Sequence, residues 1–465
     1  MKQFFQRKMR ATTTNRRLRL DIKAVLINLY KDLSSAKEGV VAVIVAFSMI
    51  PLILAVGVSV DVGRAYLVKQ RLLHTTDSAG LAIAAAIDDD STSEELQEVL
   101  DNFISANFPD ASIGTVSSTS FTYDSTTVNV TAEVNVVTTF MKLANIDELS
   151  VSASSEITRQ EDYLEVVLVL DNSGSMSGSK LTALKEASDS LIDTLFGTSD
   201  TSSLVKIGLV PFSNNVNIGS SNTGYVSDTS VYDWGTTSWE GCVEAVVTDD
   251  EDTKDDYTGP WTPFYWADDS NNNWYYSGGY HISSYRTPNL YCPDAAITPL
   301  TNDKATLTTA IDNMVANGGT HINWGAIWGW RVISPSEPFT EGSAYGTADT
   351  TKAVIILTDG ANTAYSFVDD AFGYPSDELL GSGINTASEV ADELDVRLAT
   401  ICENIKDADI LVYSITFNVS DSDTQDLFED CATDTDYYYD SPSTDELTRT
   451  FRSIAAELKK LRVSN

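Results

Sequence analysis

Histidine is nearly missing from this chain: His74, His281 and His321 are the three in 465 residues, and they lie far apart. A serine or cysteine nucleophile needs a base and an oriented acid, and catalytic zinc draws heavily on imidazole, so both chemistries start undersupplied. Gly-x-Ser-x-Gly, His-Glu-x-x-His and phosphate-loop patterns are missing too, so the chain reads as a non-enzyme. Cysteine is scarce. Cys242, Cys292, Cys402 and Cys431 show no Cys-x-x-Cys spacing, which argues against zinc, and their even number suits disulfides in an oxidising compartment. Pairing by proximity gives Cys242 with Cys292 and Cys402 with Cys431. Basic residues are few as well: 30 Lys and Arg against 67 Asp and Glu, a formal charge of -37. Ten of those cations fall in residues 1–38, leaving the leader near +7 and the remainder near -44. A body of that sign cannot neutralise phosphates, which excludes nucleic acid as a partner. It reads as a solvated surface with a taste for divalent cations.

One long run has no charge at all. Gly39 to Val60 holds 22 uncharged residues, enough to cross a hydrocarbon core of about 30 Å as a helix. The alternative, a cleaved signal peptide, fits worse, because the run is too long for an h-region and the basic leader before it is 38 residues long. Pro51 interrupts the span, which membrane helices tolerate when neighbours satisfy the freed carbonyl. The basic leader puts the N-terminus in the cytoplasm and residues 61–465 outside, the periplasm of a bacterium with the span in its inner membrane.

Residues 61–87 continue as a helix, alanine-rich at its end. Residues 91–160 then read as a small α+β spacer: Leu96, Val99, Leu100 and Phe103 recur at helical spacing, Val128 to Val136 alternate as a strand, and Val151, Ala153 and Ile157 suggest another. Asn129-Val-Thr131 matches a glycosylation sequon, a weak signal in a bacterial setting. From 161 to 465 strand-like and helix-like runs alternate, which predicts an α/β fold with a doubly wound, mostly parallel sheet. Val166 to Leu170 is apolar without alternation, as expected of a strand covered on both faces. A helix over Leu181 to Leu195 stops at Gly197. Leu204 to Phe212, Ala353 to Leu357 and Ile410 to Phe417 read as further strands. Leu447, Phe451, Ile454, Leu458 and Leu461 mark a closing helix with Ser443 and Glu446 as a capping box.

Glu38-Gly39, the span, Asp61-Val-Gly-Arg64 and Asp77-Ser-Ala-Gly-Leu-Ala82 resemble the N-terminal segment of TadG-type proteins of tight-adherence (Flp) pilus assembly, over about residues 38–87. A second resemblance rests on three separated motifs: Asp171-Asn-Ser173-Gly-Ser175 at a strand end, Asn317-Gly-Gly-Thr320 after a helix, and Leu357-Thr-Asp359-Gly360 ending a buried strand. In this order they resemble a von Willebrand factor type A (VWA) domain and its metal-ion-dependent adhesion site. The resemblance implies that Ser173, Ser175 and Thr320 offer hydroxyls, and Asp171 and Asp359 carboxylates, to Mg2+ or else Mn2+ or Ca2+. Magnesium prefers six oxygens and keeps waters, so few carboxylates suit it and leave it open to an acidic side chain of a partner. The plain alternative is helix capping by Asp171 and Ser173, which explains one motif and not three. These ligands are expected at exposed strand ends, outside the core.

An insertion, residues 220–299, interrupts the head and holds Trp234, Trp239, Trp261, Trp266 and Trp274. It reads either as a binding lobe for glycan or peptide or as a stapled lobe needing aromatics for its own core. Its acidic run, Asp249 to Asp256, reads as solvated, since it lacks the glycine and terminal glutamate of a calcium loop. With an antiparallel edge strand expected near Asn214 to Ile218, the chain would enter the insertion from the pole opposite the metal, as a separate lobe. The resulting expectation is a basic leader (1–38), a transmembrane helix (39–60), a stalk and spacer (61–160) and a VWA-like head (161–465). Its function would be metal-dependent binding of a protein partner that presents an acidic residue, with pilus components as the candidates. A generic membrane-anchored adhesion or stress protein is the alternative. A cytoplasmic chaperone or chelatase subunit fits poorly with the span and the cysteines.

Overall fold

The structure, a computed structural model, describes residue 31 and residues 37–464 apart from 88–90, 110–113, 125–126, 159–161 and 257–258. The basic leader thus lies almost wholly outside the described residues. The chain forms two compact units, one ending at Arg159 and the other beginning at Gln160.

The first unit is built on a helix of 50 residues, α1 (Lys37–Ala86), about 75 Å long at 1.5 Å per residue. Its first half contains a window of mean hydropathy 2.7 with its side chains uncovered, Phe47 72% and Leu52 63% exposed. By length and composition it can cross a membrane. Beyond Asp61 one stripe turns inward: Val68, Leu72, Ala79 and Ile83 are buried at helical spacing against a three-stranded antiparallel sheet. That sheet is β1 (Thr115–Tyr123), β2 (Thr127–Val137) and β3 (Glu148–Thr158), in that order. A Cβ on Gly80 would meet Ile157 at 2.7 Å, so the small residues at the end of α1 do admit a close approach to the sheet. A second helix, α2 (Ser93–Asn107), is started by a capping box of Thr92 and Glu95. β1 was not foreseen, because its polar, half-exposed sequence lacks apolar alternation.

The second unit is a six-stranded sheet with helices on both faces. In chain order it runs β4 (Tyr163–Asp171), α3 (Ser179–Phe196), β5 (Val205–Phe212), a small hairpin β6 (Tyr275–Tyr276) and β7 (Gly279–Tyr280), then β8 (Thr298–Thr301), α4 (Lys304–Asp312) and α5 (Ile322–Ile333). It continues as β9 (Thr350–Thr358), α6 (Ala387–Asp407), β10 (Leu411–Phe417), α7 (Ser422–Cys431), β11 (Tyr438–Ser441) and α8 (Thr444–Ser464). The sheet order is β11-β10-β9-β4-β5-β8, parallel except for β8. From β4 the chain goes to β5 on one side and later to β9 on the other, so the β4/β9 junction is the switch point where such sheets leave a crevice.

β4 explains its own apolar run. Val167 and Val169 enter the core under α5 and α6, whereas Val166, Leu168 and Leu170 enter the opposite core under α3 and α8. α5 is buried on every side. It lies tight on the sheet because Gly325 and Gly329, one turn apart, leave no Cβ to meet Phe212 at 2.5 Å or Val169 at 2.4 Å. The closing helix carries the expected cap, Glu446 N–H donating to Ser443 Oγ at 3.3 Å.

Both disulfides form as paired by proximity. Cys242–Cys292 staples the insertion, and Cys402–Cys431 joins α6 to α7. Four expectations about the insertion and the chain leading into it need correction. The antiparallel edge strand is β8, after the insertion, while Val216 makes only an isolated bridge to Phe212. The chain therefore leaves the carboxyl end of β5, at the same pole as the Asp171 strand end. Nor is the insertion a separate lobe, since Val226, Trp239, Val243 and Trp261 belong to the main core and the Trp261 ring lies 4.9 Å from Trp328. Four of its tryptophans, Trp239, Trp261, Trp266 and Trp274, are buried, which favours the core reading of the aromatics. The acidic run is not simply solvated: Asp252 is fully buried and pairs with Arg397 at 2.6 Å, and the Glu251 carbonyl accepts from buried Arg331 at 2.8 Å. Arg331 is clasped by Trp261, Trp324 and Trp328, and burial lowers it to about 10, still charged at neutral pH.

Candidate metal centre

β4 and β9 are in parallel register, Leu170 beside Leu357, so the chain delivers Asp171 next to Thr358 and Asp359 one step further. Asp171 is wholly buried. Its Oδ1 accepts from the Ser173 N–H at 2.7 Å, and its Oδ2 from the Thr358 hydroxyl at 2.8 Å and the Asp359 N–H at 3.4 Å. Burial, then the charge of Asp359, pushes its carboxyl up to about 6 against the lowering effect of these hydrogen bonds.

The serines form a chain. Ser175 donates to Asp359 Oδ1 at 2.5 Å, and Ser173 Oγ lies 2.8 Å from Ser175 Oγ. Ser173 also hydrogen-bonds the Asp171 carboxylate through its side chain, so the two serines bridge the two acids. Lys180, on the first turn of α3, donates to Asp359 Oδ2 at 2.5 Å. The structure thus joins Asp171, Ser173, Ser175 and Asp359 in one polar cluster with an ammonium docked on its outer acid.

The loop of Thr320 is tied to this place through its main chain. Asn317 N–H donates to the Asn172 carbonyl at 2.8 Å and Gly174 N–H to the Gly318 carbonyl at 3.0 Å, tying the two loops together. Gly318 has φ +81°, and a Cβ there would meet Asn214 Oδ1 at 2.2 Å, so only glycine serves. Asn214 Oδ1 also accepts from Gly319 N–H at 3.1 Å. The Thr320 main chain is paired with Thr363 in both directions. Most of these groups are not at exposed strand ends as expected: Asp171, Ser173, Thr320 and Asp359 are all buried, and only Ser175 is exposed. Loops 213–215, 317–320 and 360–363 are hydrogen-bonded to one another beside the strand ends.

His321 is no general base for this cluster. Its Nε2 lies 3.1 Å from the Thr363 carbonyl and 3.5 Å from Asp370. Burial lowers it to about 4, so it is neutral at pH 7 and forms no ion pair with Asp370, whose carboxyl burial raises well above the usual range. Among the described residues no three His, Cys, Asp or Glu side chains gather as a metal site, so any ion here must rely on hydroxyls.

The donor set passes that test for a hard cation. Two carboxylates and two hydroxyls converge, and a chain-borne cation already sits on one of them. Buried Asn172, one residue from Asp171, has both side-chain polar atoms without a hydrogen-bond partner, an excess of polarity at the crevice. Sequence reasoning missed Lys180, Thr358, Asn214, Asn362 and Thr363. Asn362 Oδ1 accepts from Ile322 N–H at 2.7 Å and caps α5. The signal for Lys180 was available: at nine residues after Asp171 it falls on the first turn of the helix that follows the strand.

Two segments match known families. Residues 39–86 match the family described as putative Flp pilus-assembly TadE/G-like, and residues 165–234 match the von Willebrand factor type A domain. No curated protein matches the chain. Among solved structures it is similar to the pilus adhesin SpaC of Lactobacillus rhamnosus GG, at 13% identity and TM-score 0.36 over 74% of this chain and 34% of the adhesin. It is also similar to the vWF domain of a type V pili tip protein of Porphyromonas gingivalis, at 11% and 0.37 over 66% and 97%. A third is proximal thread matrix protein 1 of the mussel byssus with a zinc-occupied MIDAS motif, at 15% and 0.32 over 65% and 48%. The chain spans about a third of the length of the Lactobacillus adhesin. Likeness this distant says nothing about the ligands of the present chain.

Proposed function

Because the chain joins a TadE/G-like segment to a von Willebrand factor type A domain, we propose that it is a membrane-anchored factor of tight-adherence pilus assembly whose head grips an acidic protein partner through a divalent cation. Residues 39–60 of α1 are the single span, in the inner membrane, with the N-terminus in the cytoplasm and residues 61–465 in the periplasm. The basic leader and the two disulfides support that orientation.

One observation carries the metal reading: the continuous chain from Ser173 through Ser175 to Asp359, closed by a cation at Lys180. Asp171, Ser173, Ser175, Thr320 and Asp359 would hold the ion, Mg2+ first and Mn2+ or Ca2+ otherwise. When bound, it supplies an electrophilic position for a carboxylate oxygen of the partner. The chain's own residues prepare that position. Thr358 and the Ser173 N–H orient Asp171, Ser175 and Lys180 hold Asp359, and Asn214 and Thr363 fix the loop of Thr320. Exposed Ser175 marks the side from which a partner reaches the site.

Capture of periplasmic proteins on the full-length chain tests this reading. Chelator should remove the specific partners and added Mg2+ or Mn2+ restore them. The same partners with and without chelator would mean a type A fold that binds without metal.

A further inference from the structure

The connection between β2 and β3, residues 138–147, carries apolar side chains with no cover. Leu143 is 75% exposed, Ile146 40% and Phe140 36%. Solvent-facing loops seldom present three large apolar residues within seven positions, and such a patch marks a contact surface. The loop is nevertheless rigidly placed. Asp61, itself buried on α1, accepts from the N–H groups of Thr139 at 3.0 Å, Phe140 at 2.8 Å and Met141 at 2.7 Å. Thr138 donates to the carbonyls of Ile146 and Asp147, closing the loop on itself.

That clamp sets a height along α1. Asp61 is the first charge after the apolar run, and Phe140 packs on Gly57, one turn earlier and so about 6 Å back into that run. The contact requires glycine, because a Cβ there would lie 2.6 Å from Phe140. Beside it runs a groove of about 330 Å3 lined by Met49, Leu52, Ile53, Val56, Gly57 and Phe140, all apolar. The loop's apolar surface is therefore continuous with that of the helix at the outer end of the span.

We propose that residues 140–146 form a second membrane-contacting element, with Phe140 in the outer-leaflet interface, Leu143 and Ile146 resting on lipid, and an acyl chain in the groove beside Gly57. The occupant is lipid because the patch extends the apolar band of α1 rather than standing apart from it. Lys142, exposed on the same turn, suits the headgroup level. The spacer unit would thereby be held at a fixed height on the bilayer instead of swinging on a bare helix.

The proposal rests on α1 spanning the membrane, and its test separates the two. All four native cysteines are in disulfides, so single cysteines can be labelled with an environment-sensitive fluorophore in the full-length chain in vesicles containing nitroxide-labelled lipid. Leu143→Cys and Ile53→Cys should be blue-shifted and quenched at least about twofold more than Thr122→Cys, which lies on β1 opposite Asn129, about 27 Å along β2 from Val137. Quenching at 53 with a water-like signal at 143 overturns the loop proposal alone. A blue-shifted but unquenched label at 143 also overturns it, in favour of a protein cover such as a second copy. A water-like signal at 53 removes the span and the proposal with it.

Discussion

The ammonium of Lys180 lies 2.5 Å from Asp359 Oδ2, while Ser175 donates to the other oxygen of that carboxylate at the same distance. A cation supplied by the chain therefore answers the charge of the outer acid. The inner acid, Asp171, has only neutral donors, which is why burial and the charge of Asp359 raise it. The two carboxylates divide the work: one is held by a removable charge, the other by fixed hydrogen bonds.

Lys180→Met should tighten Mg2+ or Mn2+ binding about tenfold, since an ammonium next to a cation site repels the incoming ion and a partly exposed charge acts at the 1 kcal/mol scale. The metal-free head should become less stable at the same time. Titration calorimetry and thermal melts in chelator check both, and an unchanged affinity would show that Lys180 does not compete for Asp359.

Asp171→Ala should abolish metal binding and also lower stability by about 1 to 3 kcal/mol, because it strands the Ser173 N–H in a buried place and leaves the Thr358 hydroxyl with the Gly360 carbonyl as its acceptor. Asp171→Asn keeps one acceptor oxygen for the Thr358 hydroxyl and removes the repulsion with Asp359 but turns an NH2 on the Ser173 N–H, so its metal-free stability should fall between that of Asp171→Ala and that of the parent. Denaturant unfolding in chelator distinguishes them, and equal stability of the two variants would contradict the assigned hydrogen bonds.

Glu244 in the insertion and Asp369 in the loop after β9 are both pushed up to about 7, by burial first and for Asp369 also by Glu244, Asp377 and Asp269. Their folded values exceed unfolded values near 4, so the native state binds more protons between about pH 4 and 7. Stability should fall as pH rises through that window and level off above it. Melting the chelated protein at pH 5.5 and 8 should show the lower transition at pH 8, and Glu244→Gln should shrink the gap by raising stability about 1 to 2 kcal/mol at pH 8.

Deleting residues 220–299 should unfold the head rather than leave a trimmed one. Removing Trp261 uncovers Trp328 and Arg331, and removing Asp252 leaves buried Arg397 with Glu393 as its one remaining ion-pair partner among the described residues. Trp261→Ala alone should cost about 3 to 5 kcal/mol by cavity formation. A deletion variant with a cooperative transition near the parent's would restore the insertion to the status of an independent lobe.

Much of the fold was legible in the sequence because it depends on local pattern. The unbroken run Val166 to Leu170 announced a strand covered on both faces, the uncharged run to Val60 a long apolar helix, and Ser443 with Glu446 a helix start. Covalent and register constraints also follow short rules: the nearer cysteines paired, and three strand or loop ends carrying Asp171, Thr320 and Asp359 came to one pole once β4 and β9 were neighbours.

What the tertiary structure decided was everything resting on proximity between segments distant in sequence. β8 became the edge strand because β5 offered it a free side, although Thr298 to Thr301 has no pattern of its own. The insertion entered the main core because Trp261 and Arg331 need each other's burial, a fact no periodicity records. Lys180 met Asp359 across 179 positions, and Asp61 met Thr139, Phe140 and Met141 across nearly eighty. A residue's type and neighbours in the chain determine which hydrogen bonds and charges it can offer. Only packing determines which groups receive them.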